Sequence, residues 1–242
     1  MRRCLIGGLI VMLCSFAAGA QTVDELLAKY VKTIGGMDKI AAIKSMRSTG
    51  KFDGGGGFQA VVIQENKRPS SVREDFQIQG FSAINAYDGR QGWKINPFEG
   101  KKDAEALGEE ELKSIIEDSD FDGPLINYKE KGNKIEFVDK EDFEGSDVYK
   151  LKVTLASGTI KWYYLDADYY VPIKIETKHI TRGTEIESET ILGDYKEAGG
   201  VFFPFSYQSG AKGSSNKSTI TFEKIEINPA IDDSRFVMPG KK

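Results

Sequence analysis

From Ser45 onward, apolar and polar side chains alternate residue by residue, and this alternation constrains the chain more than any other feature. It is clearest from Val148 to Leu155, where Tyr149, Leu151, Val153 and Leu155 share one face and Lys150, Lys152 and Thr154 the other. A period of two marks a half-buried β-strand, because successive side chains point to opposite faces. The pattern returns at Ile160, Trp162 and Tyr164, then at Ile173 and Ile175, and over Thr184 to Tyr195, Val201 to Tyr207 and Ser218 to Ile227. Upstream it marks Ser48 to Phe52, Phe58 to Glu65, Val72 to Gln79, Phe81 to Tyr87 and Gly92 to Asn96. Asp88-Gly89 and Ser157-Gly158 are hairpin signals. The links are short, so neighbouring strands are expected to pair in sequence as an antiparallel meander.

Two stretches break this rhythm with a helical period. Thr22-x-x-Glu25 is a capping box, followed by Val23, Leu26, Leu27, Tyr30, Val31 and Ile34 at three- and four-residue spacing, with Gly35-Gly36 as the stop. A further turn or two is expected over Met37 to Lys44. The second stretch lies between Phe98 and Asn133. There Glu109 to Ser119 reads as a helix with acids in its first turn and Leu112, Ile115 and Ile116 as its apolar stripe. Both stripes are expected to cover one face of a strongly curved sheet.

The first twenty residues read as an address rather than as fold. Arg2 and Arg3 precede an apolar run from Cys4 to Phe16, and Ala18-Gly19-Ala20 is a small-residue cleavage signal. Cys14 follows Val11-Met12-Leu13, a poor lipoprotein signal. No later segment is apolar and long enough to span a bilayer. The expected product is one mature domain, residues 21–242, without a cysteine, which excludes disulfides and thiol chemistry. Removing Arg2 and Arg3 leaves 31 basic against 37 acidic side chains, a net charge of −6, which gives no sign of a nucleic-acid footprint.

Signatures of catalysis and metal binding are weak. His179 is the single histidine, so a multi-histidine zinc site is impossible, and no serine stands in a nucleophile elbow. Asp118-Ser119-Asp120-Phe121-Asp122-Gly123 opens like a calcium loop, but Lys129 stands where the bidentate acid belongs. Gly54 to Gly57 and Gly210 to Ser214 lie between strands, so no helix N-terminus can cradle a phosphate there. Asn216-Lys217-Ser218 matches a glycosylation acceptor as a chance tripeptide. Paired carboxylates abound, and spacing alone places no two of them across a bond. No cofactor is implied.

Several segments, in order and spacing, resemble LolA-like periplasmic lipoprotein carriers. They are Lys67-Arg68-Pro69, then Asp88-Gly89, Trp93 and Asn96-Pro97-Phe98, then Leu165-Asp166 with Pro172-Ile173-Lys174. The ending Asp233-Ser234-Arg235-Phe236-Val237-Met238-Pro239 is similar to the family's closing strand. The resemblance implies a mainly β fold, an unclosed antiparallel barrel with helices lidding a hydrophobic cavity. It implies a non-enzymatic carrier that takes lipoprotein acyl chains, or another lipid, from an inner-membrane release transporter to an outer-membrane acceptor. It places on Arg68 the arginine that tethers the lid. The region after Phe98 and the Gly-rich hairpin depart from the pattern and leave the cargo open.

Each buried methylene contributes about 0.8 kcal/mol, so one long acyl chain in water costs roughly 10 kcal/mol and needs a dry cover to cross an aqueous gap. The expected cavity lining is Val72, Phe76, Ile78, Trp93, Ile95, Leu151, Val153, Trp162, Ile173 and Ile175, with Leu112, Ile115 and Ile116 from the lid. Competing readings are a lipid-sensing interaction module of an envelope-stress system and, ranked last, a carboxylate-dependent enzyme.

Overall fold

Strands rich in alternating apolar residues and linked by short turns have one inexpensive arrangement, pairing with their sequence neighbours, and the chain largely adopts it. The structure, a computed structural model, describes residues 22–181 and 184–240. The expected signal peptide and both cysteines lie outside the described residues. Among the described residues thirteen strands form one antiparallel sheet: β1 (Ser45–Asp53), β2 (Gln59–Lys67), β3 (Ser71–Ile78), β4 (Phe81–Tyr87), β5 (Gly92–Asn96), β6 (Lys101–Ala106), β7 (Lys134–Phe143), β8 (Ser146–Thr154), β9 (Ile160–Asp166), β10 (Pro172–Thr181), β11 (Thr184–Ala198), β12 (Val201–Ala211) and β13 (Ser218–Ile227). Their spatial order is β6-β5-β4-β3-β2-β1-β13-β12-β11-β10-β9-β8-β7.

Two meanders thus meet at a seam where β1 pairs with β13 as well as with β2. Besides the unpaired β6 and β7, the seam is the one departure from pairing in sequence order. It carries a register shift at Gly50, where an added Cβ would stand 2.2 Å from the Thr221 carbonyl oxygen. β6 and β7 are the free edges and do not pair, so the barrel stays open. Both were missing from the expected strands, because Lys101, Lys102, Asp103 and Glu105 on one, and Glu136, Asp139, Lys140, Glu141 and Asp142 on the other, hide the alternation. Charge on a free edge discourages pairing with another chain.

Among the described residues three helices complete the fold: α1 (Val23–Thr33), α2 (Met37–Ala42) and α3 (Glu109–Asp118). The Thr22–Glu25 capping box starts α1. Leu26 and Leu27 of α1 pack with Leu125 against Leu151, Val153, Tyr163 and Leu165, filling the inner face of the β7–β9 half. Ile34, Ile40 and Ile43 pack with Ile126, Val171 and Val201 next to them. The last strand ends at Ile227, and the segment from Asn228 to Pro239 is a strap with one 3-10 turn, Asp233–Arg235, rather than the expected closing strand. The strap crosses the outer face: Arg73 Nη1 donates to the Arg235 carbonyl at 2.8 Å and Trp93 Nε1 to the Phe236 carbonyl at 2.6 Å. The buried Glu65 carboxylate beneath it accepts from Arg47 at 2.8 Å and from Arg235.

Candidate functional site

Strand register decides which side chains can meet inside the sheet, since directly opposed residues share a face. One inner-face row reads Ser48, Gln64, Glu74, Asn85, Lys94 and Glu105 across β1 to β6. It is flanked on one side by Val62, Phe76 and Ala83, and on the other by Asn66, Val72, Tyr87 and Gly92. The concave face of this half is therefore apolar with a polar band across it.

Helix α3 spans the groove above that band, and polar contacts fasten it at both ends. At its start, Lys94 of β5 donates to Glu111 at 2.6 Å, while the other oxygen of Glu111 accepts from the Gly108 N–H. At its end, Glu117 accepts from Ser157 at 2.7 Å and Thr159 at 2.6 Å, with Lys161 3.5 Å away. Between these fastenings its apolar contact is small: Ile115, with Leu112 and Leu107, lies on Val72 and Tyr87. Gly92 leaves room for this packing, since a Cβ there would stand 2.9 Å from the Leu112 side chain.

Arg68 fixes the loop that follows α3. It donates to the Ile43 and Ile40 carbonyls at the end of α2, at 2.7 and 3.1 Å, and forms a two-pronged pair with Asp122. Its guanidinium lies over the Phe121 ring, 4.5 Å from the centroid. The calcium-like run thus leaves α3 at Asp118 and continues as a loop held by Arg68 and by Lys131, which bonds Asp120 and the Gly123 carbonyl.

Among the described residues, Asp118 lines three cavities between the helices and the sheet. The central one, about 300 Å³, is walled by Tyr30, Ile34, Ile40, Phe121, Ile126, Tyr163, Ile175, Leu192, Tyr195, Phe203 and Tyr207, and has Gln64, Asn66, Asp118 and Asp120 at its polar side. The second, about 420 Å³, lies beneath α3 against β2–β4 and is lined by Val72, Leu107 and Ile115 together with Gln64, Glu74, Asn85 and Asp118. The third, about 460 Å³, flanks α3 on the β9–β11 side, lined by Lys161, Thr177, His179 and Ser188. Volumes of this size fall at the lower end of small-ligand sites. Burial pushes the Tyr30 phenol up to about 12 and those of Tyr163, Tyr195 and Tyr207 further, so this ring of phenols stays neutral.

The expected lining residues separate into groups. Val72 and Ile115 come together beneath the lid, with Leu112 packed against them. Phe76 lies on the same inner face, packed with Val62, Phe205 and Phe222, and Ile78 follows at the hairpin end. Ile175 lines the central cavity. Leu151 and Val153 also face inward, but both are fully buried under α1 and line none of these cavities. Ile173 sits half-buried at a register shift between Pro172 and Lys174. Ile116 points away from the sheet and is 45% exposed.

Trp93, Ile95 and Trp162 require correction. Trp93 is opposed to Ala86 and Ile95 to Ile84, in the rows of Arg73 and Asp75, so both face outward, and Trp93 is buried by the strap. Trp162 is opposed to Lys152 and Glu176, also on the outer face. The sequence showed that alternate residues share a face, but not which face each strand turns inward. The polar band and the tyrosine ring were missed for the same reason. One signal was present: Glu74 stands between Val72 and Phe76 on what the period of two makes a single face.

A single antiparallel sheet, left open and lidded by helices on its concave side, defines the class: an unclosed half-barrel. The particular version is the LolA-like half-barrel. A LolA superfamily protein from Nitrosomonas europaea matches at a TM-score of 0.58 and 12% identity, over 90% of this chain and 98% of that one. An outer membrane lipoprotein-sorting protein domain from Vibrio parahaemolyticus matches at 0.59 and 14%, over 89% and 97%. A DUF1329 family protein from Desulfovibrio piger matches at 0.61 and 10%, over 90% and 98%. No family model matches the sequence, and no curated protein matches it. Among the described residues, no helix is long and apolar enough to cross a membrane.

Proposed function

We propose that this chain is a periplasmic, non-enzymatic carrier that shelters acyl chains of a lipoprotein or other lipid between sheet and lid and moves them toward the outer membrane. The observation that carries the reading is the mounting of α3. A helix fastened by polar contacts at its two ends, with a small apolar contact between, can lift without unpacking the core under α1. Lifting it joins the three cavities that meet at Asp118, and the central one offers apolar walls to a tail. Lipid then passes between donor and acceptor proteins, an inner-membrane lipoprotein-release transporter and an outer-membrane acceptor, without entering water. In the second reading, lipid binding modulates a contact with a regulatory protein.

Chloroform extraction of the protein purified from its native host, followed by mass spectrometry, tests the carrier reading. Acyl-bearing molecules in stoichiometric amount are expected, and a lipid-free extract rejects it. Arg68 is the lid latch in this scheme. Arg68→Leu leaves Asp122 and two carbonyls without their donor and is expected to weaken transfer of lipid to acceptor vesicles. Wild-type transfer rates in that variant reject the latch. A stable complex with a regulator but none with a release transporter favours the second reading.

A further inference from the structure

The interior carries acceptors that the described residues leave without donors. Gln64 and Glu74 oppose one another on β2 and β3, Asn66 is next along the inner face of β2, and Asp118 faces them from the end of α3. Asn66 is 6% exposed, lines the central cavity, and its Oδ1 has no hydrogen-bond partner. A buried acceptor left unsatisfied costs about 1–3 kcal/mol. Glu74 and Asp118 are close enough to repel, and neither forms an ion pair among the described residues, although the charge of Lys161 draws on Asp118. The nearby cations are engaged elsewhere: Lys94 with Glu111 and Glu105, Lys161 with Glu117, Lys131 with Asp120, and Arg68 with Asp122. Gln64 and Asp118 border both the cavity beneath α3, which Glu74 lines, and the apolar central cavity, which Asn66 lines, so a molecule with a donor at one end and a hydrocarbon at the other matches both.

We propose that the corner formed by Glu74, Asp118, Gln64 and Asn66 receives the ammonium group of an amine-bearing amphiphile, whose alkyl part lies in the central cavity. This deepens the carrier reading and rests on it. An ammonium supplies both features the corner lacks, a positive charge between two carboxylates and an N–H donor for the Asn66 amide oxygen. Hydrogen bonds of this charge-assisted type are roughly twice as strong as neutral ones. An anionic headgroup would instead meet two acids.

Calorimetric titration of the purified chain with n-dodecylamine and with n-dodecyl maltoside, both below their micellar concentrations, tests the inference. The amine is expected to bind about tenfold or more tightly than the uncharged amphiphile of equal tail, the gain of one charge-assisted bond. In Glu74→Gln with Asp118→Asn the preference is expected to fall below about twofold while maltoside affinity is retained. Lysophosphatidylethanolamine against lysophosphatidylglycerol then identifies the source of the amine. A preference for the ethanolamine lipid places it on a phospholipid headgroup, and a preference confined to dodecylamine places it on a free alkylamine; either supports the site. Equal binding of amine and maltoside to the wild-type chain overturns the inference and leaves the carrier reading standing. Failure to bind either amphiphile overturns both. The wild-type comparison needs no variant, so a variant that fails to fold does not protect the idea.

Discussion

Glu74 stands between Val72 and Phe76 on the inner face, where burial, then Asp118, then Asp75 push its pKa from 4.5 up to about 7. Burial raises Asp118 as well, against the pull of Lys161. An acid whose folded-state pKa is the higher one holds its proton more tightly when folded. Stability therefore falls as pH rises from about 4.5, and the whole penalty is present above about 7. Below about 4.5 both states are protonated and the penalty vanishes. Glu74→Gln removes the ionisation, so the variant is expected to melt above wild type at pH 8 and level with it at pH 4. The gain at pH 8 is at most on the order of 3 kcal/mol, less where cavity water reaches the carboxyl. Thermal melts at the two pH values decide it, and equal melting at pH 8 would remove Glu74 from the desolvated interior. An acid inside an apolar stripe was visible in the sequence; that Asp118 of a distant helix comes to face it was not, because only the folded lid brings them together.

Helix α3 was legible nearly to the residue, because acids fill its first turn and its stripe keeps helical spacing. Its fastenings were not legible, because Lys94, Ser157 and Thr159 are ordinary surface residues until the sheet curls around them. Glu117 accepts from both hydroxyls and lies near Lys161, so Glu117→Ala releases the end of α3 nearest the polar corner. Loss of such bonds costs about 1–3 kcal/mol locally. Amides of α3 are expected to exchange with deuterium roughly tenfold or more faster, the rate equivalent of 1.4 kcal/mol, while those of α1 remain at wild-type rates. Equal acceleration in both helices would mean that the lid does not move apart from the core. The charged edge strands β6 and β7 illustrate the opposite limit of legibility, since edge protection erases the pattern that announces a strand.

The two tryptophans link the half-barrel's overall shape to a test of where its cargo lies. Trp93 and Trp162 are both on the outer side of the sheet, the first sealed under the strap and the second beside the Lys174–Glu176 pair, which is 2.8 Å apart. A sheet separates faces by its own thickness, and side chains on opposite faces do not share contacts. An acyl chain in the central cavity meets tyrosines instead: Tyr30, Tyr163, Tyr195 and Tyr207. A fatty acid brominated along its chain quenches an indole only near contact, so saturating the protein with it is expected to leave tryptophan emission nearly unchanged. Tyrosine emission, excited in a chain with both tryptophans replaced by Phe, is expected to fall. Strong tryptophan quenching would place the hydrocarbon on the convex surface, where the strap, not α3, is the covering element. The lid would then be ornamental, and the curvature that brings β2, β3 and β10 around one space would need another purpose.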